Sequence, residues 1–140
     1  MADFNFHQQV PIRYGDLDPQ QHVNNVRYLT FLENARLSYL RHLGLWDGTN
    51  FLGIGIILAD THITYLEPIL YNDDVKVSVR VAHIGNKSIR FEHQIKIINS
   101  GKIAARAETV NVAYNYANKE SIRVPDTWRE KISAFEGRDF

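Results

Sequence analysis

Residues 24–44, NNVRYLTFLENARLSYLRHLG, determine the architecture of this chain. Their apolar and aromatic residues recur at spacings of three and four, the pattern of an α-helix with a broad apolar stripe. The stripe comprises Tyr28, Leu29, Phe31, Leu32, Ala35, Tyr39, Leu40 and Leu43. Asn24 and Asn25 can cap the first turn with a side-chain oxygen, and Gly44 can end the helix in a left-handed conformation. The sequence therefore predicts a helix over residues 24–42 that is buried on most sides.

The rest of the chain is predicted to be mostly strand. Residues 4–14 form a first strand, in which Pro11 favours an edge position. Segments with a period of two follow the helix. They span residues 56–67, 75–82, 88–97 and 102–116, and a short helix begins at about Asp126. A helix that is apolar around most of its girth needs a sheet that curves around it. We therefore expect a single α+β domain over residues 1–140, with the helix against an antiparallel meander.

Composition narrows the functional classes. The chain has 140 residues, 16 Lys and Arg against 16 Asp and Glu, and no cysteine. Balanced charge argues against a nucleic-acid-binding protein, and the lack of cysteine excludes a thiolate nucleophile or a cysteine metal site. The six histidines show no ligand spacing on one element, so no metal is expected. No segment is apolar for the ~20 residues that a membrane helix needs, and no secretory signal is recognisable, so the expected compartment is the cytoplasm.

Unusual polar residues are concentrated just before the helix. Asp16 and Asp18 lie two residues apart, and His22 follows in the same loop. A helix N-terminus offers free N–H donors that can hold the oxygen of a polarised carbonyl. A carboxylate just upstream can attack that carbonyl or activate a water against it, and Asp18 is at such a position. In the simpler interpretation the aspartates only shape a turn and Asn24 only caps the helix.

Residues 14–28, YGDLDPQQHVNNVRY, resemble the signature of the 4-hydroxybenzoyl-CoA thioesterase family, which has the hotdog fold. The similarity extends to residues 31–36, 65–69 and 119–125. It implies a long central helix wrapped by a curved five- or six-stranded antiparallel sheet, and hydrolysis of an acyl thioester. It also implies Asp18 as nucleophile or general base, the Asn25 N–H as the donor to the thioester carbonyl, and a catalytic or positioning role for His22. Gln20 departs from the asparagine of the plant acyl-carrier-protein enzymes, so it is not included in the site.

The same resemblance implies a CoA or carrier-protein thioester as substrate, no separate cofactor, and a homodimer or a tetramer. Tyr28 is a candidate to line the acyl channel, although it would have the same spacing as a core residue. Lys87, Ser88 and Arg90 are candidates to bind the phosphates of CoA, the alternative being a solvated strand face. His62 and His93 are expected to be core or interface residues, and Glu33 and Glu67 to be surface or interface charges. A non-hydrolytic acyl-thioester-binding module and a hotdog dehydratase or hydratase remain alternative functions.

Overall fold

A long helix, α1 (Asn25–His42), packs against one face of an antiparallel sheet in the computed structural model, which describes residues 3–140. The strands are β1 (Phe6–Pro11), β2 (Ile56–Tyr65), β3 (Asp74–Ile84), β4 (Ser88–Ile97), β5 (Ile103–Asn115) and β6 (Glu120–Ser121). A second helix, α2 (Asp126–Glu136), follows the sheet. The α+β class and the six-stranded antiparallel sheet are as predicted from the sequence. No helix among residues 3–140 has both the length and the apolarity to cross a membrane.

The strand order is β1-β3-β4-β5-β2, and the short β6 pairs with the far end of β5. The predicted meander is correct for β3, β4 and β5 but wrong for β2, which pairs with β5 and not with β3. Alternation of apolar and polar residues fixes which face of a strand is buried, but it carries no information about the neighbouring strand. The connection over residues 66–73 crosses the end of the sheet and leaves β2 at its edge.

The first strand is shorter than residues 4–14, because it ends at Pro11 and residues 14–16 form a 3-10 turn. Proline has no N–H with which to continue a strand ladder. The helix has its predicted bounds, with Asn24 as the N-cap and Gly44 in the left-handed region at a φ of 74°. The expected burial on most sides is wrong, because α1 leaves one face open at Val26, Leu29 and Glu33.

The core lies between α1 and the buried face of the sheet. Tyr39 is fully buried at its centre, with edge-to-face ring contacts to Phe6 at 5.7 Å, Phe91 at 5.9 Å and Phe135 at 5.6 Å between centroids. These four rings join β1, α1, β4 and α2. Burying one large apolar side chain contributes roughly 1.5–3 kcal/mol, so this cluster is a major source of stability.

A half-buried carboxylate fastens α2 to this core. Glu136 Oε2 accepts hydrogen bonds from the Tyr39 hydroxyl at 2.6 Å and from the Val81 N–H at 3.1 Å. The Val81 N–H is beside an irregularity of the β3–β4 ladder, so the carboxylate satisfies a donor close to that irregularity. Burial, together with the neighbouring Glu136 carboxylate, raises the pKa of Tyr39, which therefore remains a hydroxyl donor.

We expect Tyr39→Phe to lower the free energy of unfolding by about 1–3 kcal/mol, because it leaves the Glu136 carboxylate without its hydroxyl donor. Denaturant unfolding at neutral pH measures the change. Tyr71→Phe is the matched control, since Tyr71 is half exposed and makes no side-chain hydrogen bond among residues 3–140. Equal stability of the two variants would contradict this role for the Tyr39 hydroxyl.

Of the two histidines expected in the core or at an interface, His93 is buried, whereas His62 is exposed in the protomer. His93 is 2% exposed, its Nε2 lies 3.0 Å from Thr109 Oγ1, and its Nδ1 has no hydrogen-bond partner among residues 3–140. Burial, and to a lesser degree the nearby Arg36 guanidinium, lower the pKa of His93 to about 3. The ring is therefore neutral in the folded protein at ordinary pH.

This lowered pKa predicts an acid-sensitive contribution to stability. Between the unfolded value of about 6.5 and the folded value of about 3, the unfolded chain binds the proton and the folded chain does not, so stability falls as the pH falls. Lowering the pH from about 6.5 to about 4.5 reduces the unfolding free energy of both proteins. We expect the reduction to be about 2 kcal/mol smaller in His93→Asn than in wild type. Urea denaturation at both pH values, compared with the exposed control His83→Asn, measures the difference. An unchanged pH dependence would contradict the assignment.

Candidate active site

The loop between the 3-10 turn and α1 is closed by backbone hydrogen bonds. Leu17 and Val23 form an isolated antiparallel bridge, and within it the Asp18 N–H donates to the His22 carbonyl at 3.0 Å. The Gln21 N–H donates back to the Asp18 carbonyl at 2.9 Å, and Gln21 takes a φ of 68°. A side chain in this left-handed region is unusual, and the closed loop holds it there.

Two further backbone bonds fix this loop to its surroundings. The Val23 N–H donates to the carbonyl of the fully buried Ile69 at 2.8 Å, and the Asn24 N–H donates to the Asp16 carbonyl at 2.8 Å. The first bond ties the loop to the connection over residues 66–73, and the second ties it to the start of α1. These three segments therefore meet at one place although they are far apart in the sequence.

The two aspartates have different environments. The Asp16 side chain is 1% exposed and accepts from the Arg13 N–H at 2.8 Å and the Arg13 guanidinium at 3.3 Å, with Arg27 Nε 3.8 Å away. Asp18 is half-buried, and one of its oxygens accepts from the Gln20 N–H at 2.9 Å. The ion pairs of residues 3–140 include none with Asp18. Asp16 thus stabilises the loop, while Asp18 retains an uncommitted carboxylate oxygen.

The start of α1 lies beside Asp18. The Asn24 side chain accepts from the Val26 N–H at 2.9 Å, and the Asn24 carbonyl accepts from the Arg27 N–H at 2.9 Å. Asn25 is the first helical residue, and the hydrogen bonds of residues 3–140 include no acceptor for its N–H. This donor is at the positive end of the helix dipole, where it can stabilise a developing negative charge.

A depression of about 430 Å³ lies between these groups. It is lined by Asp18, Gln20, His22, Val23, Asn25, Tyr28, Tyr65, Leu66, Glu67 and Pro68. The structure thus brings together four sequence-predicted site residues, Asp18, His22, Asn25 and Tyr28. It adds Gln20, which the family resemblance leaves outside the site, and Glu67, which the sequence predicts to be a surface or interface charge.

Two tyrosines form one wall of the depression. Tyr65 Oη donates to the Asn25 carbonyl at 3.1 Å and holds the end of β2 against the first turn of α1. The Tyr28 and Tyr65 rings meet edge to face at 4.9 Å, and Tyr28 Oη donates to the Glu67 carbonyl at 3.4 Å. Burial raises the pKa of Tyr28 to about 12. Sequence reasoning missed Tyr65, because a contact across 40 positions has no local signal.

The three predicted phosphate-binding residues lie elsewhere in the protomer. Ser88 pairs with Val112 and Tyr65 with Ala105, so the stretch of β5 from 105 to 112, about 23 Å of strand, separates them. Lys87 Nζ lies 3.4 Å from Ser121 Oγ, and Arg90 pairs with Glu108 at 3.4 Å. One protomer does not bring them to the depression, and their CoA-binding role stays a prediction.

The profile of the thioesterase-like superfamily matches residues 12–132. The long-chain acyl-CoA thioesterase FadM of Escherichia coli K12 is 27% identical over 124 residues, 89% of this chain and 94% of FadM. A thioesterase from Thermus thermophilus, solved with coenzyme A and Zn, is 34% identical with a TM-score of 0.87 over 99% of both chains. A 1,4-dihydroxy-2-naphthoyl-CoA thioesterase from Synechocystis shares the fold at 19% identity, with a TM-score of 0.82 over 94% of this chain and 97% of its own.

The chain belongs to the thioesterase-like superfamily, and its enzyme class is thioester hydrolase. The fold of the solved relatives is the hotdog fold expected from the sequence, with a curled antiparallel sheet and a helix. In the part of the chain that the structure describes, no three His, Asp or Glu side chains form a group that could hold a metal ion.

We expect Asp16→Asn to lower the free energy of unfolding by about 1–3 kcal/mol, because a buried amide cannot replace the charged acceptor facing Arg13 and Arg27. Thermal and denaturant unfolding measure the loss. Asp139→Asn is the matched control, because Asp139 is exposed and makes no side-chain hydrogen bond within the described chain. A stability equal to that of the control would show that Asp16 does not hold the loop.

Proposed function

We propose that this chain hydrolyses acyl-CoA thioesters, with Asp18 as nucleophile or general base. The observation that carries the proposal is the proximity of an uncommitted carboxylate, Asp18, and a free helix N–H, at Asn25, in one depression. Superfamily membership and the CoA named with the Thermus relative support a CoA thioester as the substrate. The closer likeness to 4-hydroxybenzoyl-CoA thioesterases rests on residues 14–28.

The chemistry needs few groups. The thioester carbonyl oxygen accepts from the Asn25 N–H, which stabilises the oxyanion that forms on attack. As a base, Asp18 takes a proton from water, and the water oxygen adds to the carbonyl carbon. As a nucleophile, Asp18 adds directly and forms a mixed anhydride that water then opens. In both routes the carbon–sulfur bond breaks and the CoA thiolate leaves, so no strong acid is needed at the leaving group.

Other groups of the depression have supporting roles in this proposal. His22 is exposed beside Asp18 and can orient water or substrate. Tyr28 provides an aromatic wall for the acyl group, and its raised pKa keeps it a neutral phenol. Lys87, Ser88 and Arg90 are proposed to meet the CoA phosphates, which requires a second protomer because of their distance within one chain.

The working form is proposed to be a homodimer of single-domain chains, or a tetramer made of two such dimers, in the cytoplasm and without a separate cofactor. A continuous hydrophobic core from β1 to α2 supports the single domain. The position of β2 at the sheet edge supports pairing of two sheets edge to edge, because an edge strand presents a row of unpaired backbone groups. Ile57 and Leu58 are exposed on that strand, as at a surface that another copy covers.

The test of the proposed function is steady-state hydrolysis of a panel of CoA thioesters, from short to long acyl chains and including aryl thioesters, with release of free thiol as the signal. We expect at least one member of the panel to be hydrolysed. Asp18→Asn should then reduce kcat by about 10³–10⁴-fold with little change in KM, as for loss of a nucleophile or base. Asp139→Asn is the matched control and should keep the wild-type kcat.

Two outcomes contradict the proposal. Wild-type protein that releases no thiol from any panel member is not an acyl-CoA thioesterase. If it nevertheless binds acyl-CoA in calorimetry, it is the non-hydrolytic binding module. Full activity of Asp18→Asn removes Asp18 from the chemistry, even if hydrolysis occurs. Hydration of an enoyl-CoA by the same protein would instead identify a hydratase.

A further inference from the structure

Arg36 is a buried cation that has no anion beside it. It lies on α1, is 4% exposed, and has no ion pair or side-chain hydrogen bond among residues 3–140. Burial lowers the pKa of Arg36, and the Glu33 carboxylate opposes that shift from beyond ion-pair distance. A buried charge without a partner is destabilising, so a counter-charge placed at this guanidinium would stabilise the folded protein.

The guanidinium faces a small cavity between α1 and the edge strand β2. The cavity measures about 160 Å³, and its lining includes Val26, Leu29, Glu33, Arg36, Leu58 and Thr61. Its apolar rim is open to solvent, with Val26 60%, Leu29 41% and Leu58 46% exposed. Glu33 is also exposed and has no cation partner within the described chain. This α1–β2 face thus combines an apolar rim with one unpaired cation and one unpaired anion.

We propose that a second copy of this chain docks on the α1–β2 face, and that Arg36 pairs with the partner's Glu33 while Glu33 pairs with Arg36 of the partner subunit. This inference extends the proposed homodimer of the thioesterase by naming the contact that sets the register of the two copies. In a twofold interface each residue contact occurs twice, so one cation and one anion on the same face give two reciprocal ion pairs.

The charges on the face favour a second copy over other occupants. A single anionic ligand would neutralise Arg36, but its negative charge would lie beside the Glu33 carboxylate, which would still have no cation. Another copy supplies both counter-charges and an apolar surface of the same size and shape. The spacing of three residues on α1 places the two side chains on neighbouring positions of one helix surface, as a reciprocal contact requires. The same face contains the unpaired edge of β2.

Docking at this face also bears on the candidate active site. Val26 lines the cavity and directly follows Asn25, whose N–H is proposed to hold the thioester carbonyl. A partner that covers Val26 and Leu29 therefore lies next to the depression that contains Asp18 and Asn25. Residues of the second copy can then contribute to one side of the acyl pocket.

The test is a charge-reversal exchange between two chains. Glu33→Arg gives a chain with two cations at the contact, and Arg36→Glu gives a chain with two anions. Each variant alone places like charges opposite each other and should raise the dimer dissociation constant at least about 100-fold. An equimolar mixture of the two variants should form a heterodimer in which every cation again faces an anion. Sedimentation equilibrium measures all three samples, with wild type as the reference.

Glu130→Arg and Arg41→Glu are the matched controls, because both side chains are exposed and neither forms an ion pair within residues 3–140. They should dimerise as wild type does. If Arg36→Glu does not fold alone, coexpression with the Glu33→Arg chain should yield the folded heterodimer. The milder Arg36→Gln should weaken the wild-type dimer about 10-fold or more.

Dimeric single variants, a mixture that stays monomeric, or monomeric wild type would each overturn the inference. Rescue by mixing distinguishes an ion pair between two copies from a Glu33–Arg36 pair within one helix. Mixing restores the first kind of pair but cannot restore the second. The measurement is also independent of hydrolysis. A reciprocal dimer that releases no thiol would contradict the proposed hydrolysis but support this contact. A monomer that hydrolyses the thioester would contradict this contact but support the hydrolysis.

Discussion

The structure depends on the apolar contact between α1 and the buried face of the sheet. Tyr39 occupies its centre and joins the first strand, the helix, β4 and the C-terminal helix through aromatic contacts. This contact fixes the height and rotation of the helix over the sheet. Once it is set, the first turn of α1 meets the end of β2 through the Tyr65–Asn25 hydrogen bond, and the loop before it meets the connection over residues 66–73. The position of the candidate site is therefore a consequence of core packing.

The two aspartates before the helix illustrate how burial divides roles between identical side chains. Asp16 is enclosed by an N–H donor and two guanidinium groups, so its charge stabilises the loop. Asp18, two residues later, points into a solvent-accessible depression with one committed oxygen. Their separation by one residue turns them in different directions along the chain. A stable anchor and a solvent-accessible carboxylate are thus held in register by the same short segment.

Local pattern predicted much of this arrangement. The helix bounds, the three meander strands and the presence of Asp18 and Asn25 at one helix end follow from spacing and capping, which act within a few residues. The neighbour of β2 and the Tyr65–Asn25 hydrogen bond were not predicted, because both depend on how distant segments pack. The prediction that α1 is buried on most sides is wrong for the same reason. An apolar residue in a helical pattern is equally suited to face its own sheet or another molecule.

The wall of the depression opposite the helix is formed by a connection and not by a strand. Leu66, Glu67 and Pro68 follow the end of β2, and their hydrogen bonds to the sheet are made by backbone N–H groups, those of Leu66 and Glu67, which donate to the Ala104 carbonyl. Only the carbonyl of Ile69 is required by the loop, and a carbonyl is present whatever the side chain. Sequence change at 66–68 can therefore alter the shape and charge of the pocket while the scaffold keeps its hydrogen bonds. Such a separation allows one framework to diverge toward different acyl groups during evolution.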